Sequence, residues 1–129
     1  GMRKIPAFLP AALYYGLIYV LSDRPIRGIP RLFPLQDKIF HFILYGVFGL
    51  LLIQGLNRVR AEKAVRFAAL IALGIAAAGL DEFHQSFVPG RTADWADAAA
   101  DILGVLAAWG GVRLYLRFRP SYPWKRGGP

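Results

Sequence analysis

Four stretches dominated by apolar residues, each near the length of a bilayer crossing, constrain this chain more than any other feature: residues 6–22, 37–56, 67–88 and 93–116. A hydrocarbon core of roughly 30 Å needs about 20 helical residues at a rise of about 1.5 Å each. The expected fold is therefore all-α: a polytopic membrane protein with four transmembrane helices in a bundle. Residues 117–129 follow as a basic tail rich in glycine and proline, frayed at its end. With 129 residues in all, the chain has room for one domain and no second. A composition that is 56% hydrophobic and 14% aromatic excludes a disordered chain, and the lack of cysteine excludes disulfides and thiolate metal sites.

The breaks between these stretches fix the helix ends. Pro6 and Pro10 fall near the start of the first, where missing helix donors are tolerated. Arg3 and Lys4 ahead of an apolar run resemble a signal peptide, but Tyr19-Val20-Leu21-Ser22-Asp23 offers no small-x-small cleavage site, so a retained helix is expected. Gly1 is read as a scar ahead of a natural start at Met2. Residues 23–36 hold three prolines and a glycine, the composition of a connection along the interface rather than a crossing. The third stretch is purely apolar only over residues 67–80, so it needs residues 81–88 to complete a span of about 33 Å, which places Asp81 inside the membrane. Pro89 and Gly90 occupy the central positions of an expected type II turn over residues 88–91. Small residues recur every fourth position at Ala68, Ala72 and Ala76 and at Ala100, Gly104 and Ala108, as expected of ordinary close packing between helices in lipid.

Charge is divided unevenly between the two sides that four spans define. The side carrying both termini and the second loop holds 11 of the 16 basic residues, so the positive-inside rule predicts cytoplasmic termini. Arg24, Arg27 and Arg31 run against the trend and are positioned to meet anionic headgroups. Seven of the eight acidic residues, all but Glu62, fall on the opposite side. Asp81 and Asp101 lie one to two turns inside their spans, where an aspartate costs about 2.5 to 3.5 kcal/mol on insertion scales. That cost points to a compensating site.

Helical spacing arranges the candidates on three faces. Asp37, His41 and Tyr45 are four apart on the second helix; Asp81 and Gln85 share a face of the third, with Glu82 and His84 turned elsewhere; Asp94, Asp97 and Asp101 line the fourth. Convergence of these faces would create an outward-facing polar pocket of Asp37, His41, Asp81, Gln85, Asp97 and Asp101, with Arg91 on its rim. Asp94 and Asp97 also suit simple capping of a helix start, His41 a satisfied core histidine, and Tyr45 packing with its hydroxyl bonded inside the bundle. Carboxylates beside an imidazole would admit a divalent cation, with Asp37, His41, Asp81 and Asp97 as candidate ligands, although no established metal motif is present. Ser86 and Thr92 flank the pocket but neither sits in a nucleophile elbow; paired carboxylates remain candidates for acid and base work.

DKIFHFILYG at 37–46 and DEFHQSFVPGRT at 81–92, followed by residues 94–104, resemble the VanZ-like family of small bacterial membrane proteins, whose pattern runs DK..H...Y, then DE..Q.F.PGR, then D...N..G. Asp101 stands where that pattern has asparagine, which removes a donor and adds a carboxylate. The resemblance implies a protein of the bacterial plasma membrane, in a family whose founding relatives are associated with resistance to the glycopeptide antibiotic teicoplanin.

The leading expectation is recognition of an envelope lipid or lipid-linked headgroup at the outer leaflet, with Arg91, Lys38 and Tyr45 as its contacts; whether the ligand is also chemically modified is left open by the residues. A non-enzymatic scaffold whose polar cluster is structural is the alternative. Ion translocation is disfavoured because the opposite halves of the helices offer no matching chain of ionisable groups. Nucleic acid is disfavoured as a partner because the basic residues lie in short juxtamembrane loops.

Overall fold

Each apolar stretch forms a helix. A computed structural model of the chain describes residues 6–22, 35–89 and 94–119. These fold as α1 (Leu9–Ser22), α2 (Gln36–Leu56), α3 (Lys63–Gln85) and α4 (Trp95–Phe118), with no strand among the described residues. The last three are long and apolar enough to cross a membrane; α1, at 14 residues, is shorter and equally apolar. Its described part is about 21 Å long, and residues 23–34, which follow it, lie outside the described residues. Pro6 stays outside the helix and accepts its first bond, from Leu9 N–H, while Pro10 sits harmlessly in the first turn.

The ends of α3 and α4 shift from their expected places for local reasons. α3 begins inside the basic run, because Lys63 and Arg66 are good helix formers and the Glu62 carbonyl accepts from Arg66 N–H at 3.0 Å. It ends at Gln85, where tight bonds from Phe87 to His84 and from Val88 to Gln85 unwind the chain before Pro89. α4 starts after Asp94, whose carboxylate accepts from Ala96 N–H at 2.9 Å as an N-cap. The type II turn expected over residues 88–91 extends into Gly90 and Arg91, which lie outside the described residues, as does Thr92.

The most extensive packing joins α2 to α4, and small residues make it possible. A Cβ on Gly104 would run into the Phe42 carbonyl oxygen and stand 2.9 Å from Gly46 N. One on Gly49 would lie 3.0 Å from both the Ala108 Cβ and the Val105 Cα. The stripe of Ala100, Gly104 and Ala108 thus brings two backbones into direct contact. Ala68, Ala72 and Ala76 do not repeat this: all three are exposed on α3. Periodicity marks a face; it does not say whether a partner covers it.

Outward faces carry large apolar side chains, among them Leu13, Ile43, Ile75 and Leu103, each more than half exposed. Buried side chains include Gln36, Asp81, Glu82, Gln85, Asp97 and Asp101. Apolar outside and partly polar inside is the arrangement lipid selects. Phe83, Phe87 and Trp95 ring one end of the bundle and Tyr115 and Phe118 the other, at the levels where aromatic belts sit. The chain is thus a helical membrane protein, built by α2, α3 and α4 with α1 laid along them. Tyr15 fastens α1 by donating to the Ala77 carbonyl at 2.9 Å, and Tyr19 by stacking on His84 at 3.9 Å.

Candidate functional site

The start of α2, the end of α3 and the start of α4 meet at one end of the bundle, and their charged side chains form two adjoining groups. In the outer group Lys38 is the centre. Its ammonium donates to Asp97 Oδ1 at 2.6 Å, Asp94 Oδ2 at 2.7 Å and Asp37 Oδ2 at 3.0 Å. An ammonium has three protons, and all three are used. Asp94 lies outside the spans and its carboxyl is held below the ordinary range, chiefly by the Lys38 bond and then by the Ala96 N–H.

The inner group lies about one turn deeper. His41 Nδ1 is 2.8 Å from Asp101 Oδ1, and its Nε2 is 3.7 Å from Asp97 Oδ2. An ionised Asp101 can only accept, so in that state Nδ1 carries the proton. The Tyr45 hydroxyl lies 3.4 Å from both Asp81 Oδ2 and the Ala77 carbonyl, and can donate to one at a time. Glu82 Oε2 accepts from Asp94 N–H at 2.7 Å, tying the end of α3 to the start of α4. Asp81, Glu82 and Asp101 are at most 1% exposed, yet Asp81 Oδ1, Glu82 Oε1 and Asp101 Oδ2 find no hydrogen-bond partner among the described residues. Native proteins seldom leave such groups unanswered.

Of the candidates named from the sequence, His41, Asp81, Asp97 and Asp101 are brought together, and Gln85 is buried one turn on from Asp81. Four expectations change. Asp37 keeps 49% of its side-chain surface and stands outside the inner group, because the inward stripe of α2 runs through Lys38, His41 and Tyr45 and leaves Asp37 at its edge. Lys38, expected as a headgroup contact, has its donors taken by carboxylates. Tyr45, expected at a ligand, is fully buried in the seam, as its packing alternative required. Glu82, expected to point away, is buried in the inner group. Helical geometry held the signal for it: at about 100° per residue, Glu82 lies only about 60° around the helix from Gln85, on the same half as the inward stripe. Arg91 lies outside the described residues.

The metal-capable set is accordingly His41, Asp81, Glu82 and Asp101, one donor atom of each lying within 4.8 Å of the others. Asp37 and Asp97, named as ligands from spacing, give way to Glu82 and Asp101, since Lys38 already binds both. No curated protein and no solved structure matches the chain. The family model described as VanZ/LLP1 matches residues 3–116, which cover α1, α2, α3, all but the last two residues of α4 and both polar segments that carry the resemblance, and the chain belongs to that family.

Proposed function

We propose that this protein recognises an envelope lipid or lipid-linked headgroup at the outer leaflet of the bacterial plasma membrane, with both termini cytoplasmic. The observation that carries the reading is the set of buried carboxylate oxygens without partners at one end of a lipid-exposed bundle. Such oxygens call for a cation or for hydrogen-bond donors, and amine, hydroxyl and amide groups of a headgroup are the donors found at that depth. The excess of basic residues at the opposite end supports the orientation through the positive-inside rule. Binding comes ahead of chemistry in this proposal, because a serine or threonine nucleophile with a base beside it is not among the described residues.

Native mass spectrometry of the protein purified with envelope lipids tests the reading. Wild type should retain a lipid that Asp101→Asn and Asp81→Asn lose, with both variants still folded. Equal retention by all three would overturn it. The second reading, a structural network, is favoured by the saturated Lys38 ammonium and the Glu82 clamp on Asp94. Thermal unfolding in detergent separates the two: a structural network loses stability on those substitutions, whereas a binding site often gains it.

A further inference from the structure

The geometry points to a divalent-cation site at this end of the bundle, with His41, Asp81, Glu82 and Asp101 as ligands. It goes beyond the headgroup reading, which it does not require. One donor atom from each of the four residues falls within 4.8 Å of the rest. The set bridges three helices: His41 from α2, Asp81 and Glu82 from α3, Asp101 from α4.

The independent observation is how each carboxylate is held. In Asp81 and Glu82 one oxygen is held by a group outside the set and the other is left over: Tyr45 stands at Asp81 Oδ2 and the Asp94 amide at Glu82 Oε2. The short His41 Nδ1–Asp101 Oδ1 contact joins two members of the set itself. Asp81 Oδ1, Glu82 Oε1 and Asp101 Oδ2 remain, in residues that are almost completely buried. Anchoring by one atom and presentation of another is how outer-shell bonds orient the ligands of a metal. Three carboxylates this close repel one another once ionised, and the lysine nearby does not relieve them, because its three donors serve Asp37, Asp94 and Asp97. A dication held by these four residues offsets that repulsion and supplies a partner for acceptors that lack one.

The donor types select the ion. Three carboxylates and one imidazole, with no thiolate in the chain, suit Mn²⁺ or Zn²⁺. Ca²⁺ asks for about six to eight oxygens, and Mg²⁺ gives up its water reluctantly.

The test uses the full chain in detergent, stripped with a chelator and titrated with Mn²⁺ while the resonance of the free ion is followed. One saturable Mn²⁺ per chain is expected, displaced by Zn²⁺. Glu82→Gln and Asp101→Asn should each weaken it by about tenfold to a hundredfold or more. Asp37→Asn, outside the four ligands, should stay within about twofold, on the same affinity scale. Absence of saturable binding by wild type up to about millimolar Mn²⁺ and Zn²⁺ overturns the site. So does binding that Glu82→Gln leaves unchanged, since the ion then sits on the outer carboxylates. Should the variants not fold, wild type decides alone: Zn²⁺ must raise its melting temperature and chelator must reverse the rise. No lipid is present in this assay, so its failure leaves the headgroup reading standing, and loss of lipid retention leaves the cation site standing.

Discussion

The same three helices end in opposite chemistry. At one end Asp81, Glu82 and Asp101 are sealed between helices, and Lys38 is enclosed by carboxylates. At the other, Lys63, Arg113 and Arg117 are exposed, Arg113 lies over the Trp109 ring at 5.3 Å, and Asn57, Lys63 and Arg66 border an open groove. The difference follows from side-chain length. Lysine and arginine lay long apolar stems along a helix and return their charge to water, so a basic residue a turn inside a span commits to nothing. An aspartate at that depth cannot reach out, and must find partners within the bundle. Acidic residues near a span end therefore report buried structure, where basic ones report topology.

A matched pair of substitutions can break this comparison. Lys38→Met leaves Asp94 and Asp97 facing each other with no cation between them. Breaking a fully buried ionic group costs about 3 to 5 kcal/mol; with Lys38 24% exposed and Asp37 and Asp94 nearly half exposed, the loss should be smaller, up to about 3 kcal/mol. Lys63→Met at the basic end should shift stability by no more than about 0.5 kcal/mol. Chemical unfolding in detergent measures both, and equal losses would show that the two ends are held in the same way.

How much of this could be read from the residues differs between the helices and the site. Span positions were legible because apolar length is a property of the chain itself; α2 departs from its expected bounds by a single residue. Asp101 is legible because it lies one to two turns inside its span, too deep for capping to explain it; His41 falls on the facing stripe but also suits a satisfied core histidine. Glu82 escapes a stripe taken through Asp81 and Gln85 alone although it lies about 60° around the helix from Gln85, and Asp37 lies at the edge of the inward stripe of α2 because that stripe runs through Lys38. The leftover oxygens were beyond reach, because they depend on which atom of each carboxylate meets a partner.

The two small-residue stripes sharpen the comparison at the next level down. Gly104 lies three residues past Asp101, and its backbone touches Phe42 and Gly46, one turn from His41. Gly104→Leu forces α2 and α4 apart and should cost about 1 to 3 kcal/mol, typical of overpacking. It should also loosen His41 from Asp101, visible as a change in the histidine ring resonances. Ala68→Leu places the same bulk on an exposed stripe, and a melting temperature near that of wild type is expected. A loss as large as that of Gly104→Leu would mean that the Ala68 stripe is covered in the membrane.

The smallest effect falls on the outermost acid. Asp94 is exposed enough that its energy is modest, yet its carboxyl is held low by Lys38 and by the Ala96 amide. A group whose value is depressed on folding contributes stability above its unfolded value, about 3.9 for an aspartate, and loses that contribution as pH falls through the folded value. The contribution is therefore complete at neutral pH and disappears only in strong acid. Asp94→Asn keeps a good N-cap but carries no charge for Lys38 to meet. The variant should have a slightly lower melting temperature at neutral pH and a shallower decline on its acid limb, so that its profile converges on that of wild type below the carboxylate range. Parallel profiles at every pH would mean that Asp94 acts only as a cap, and that Asp97 and Asp37 carry the electrostatic hold on Lys38.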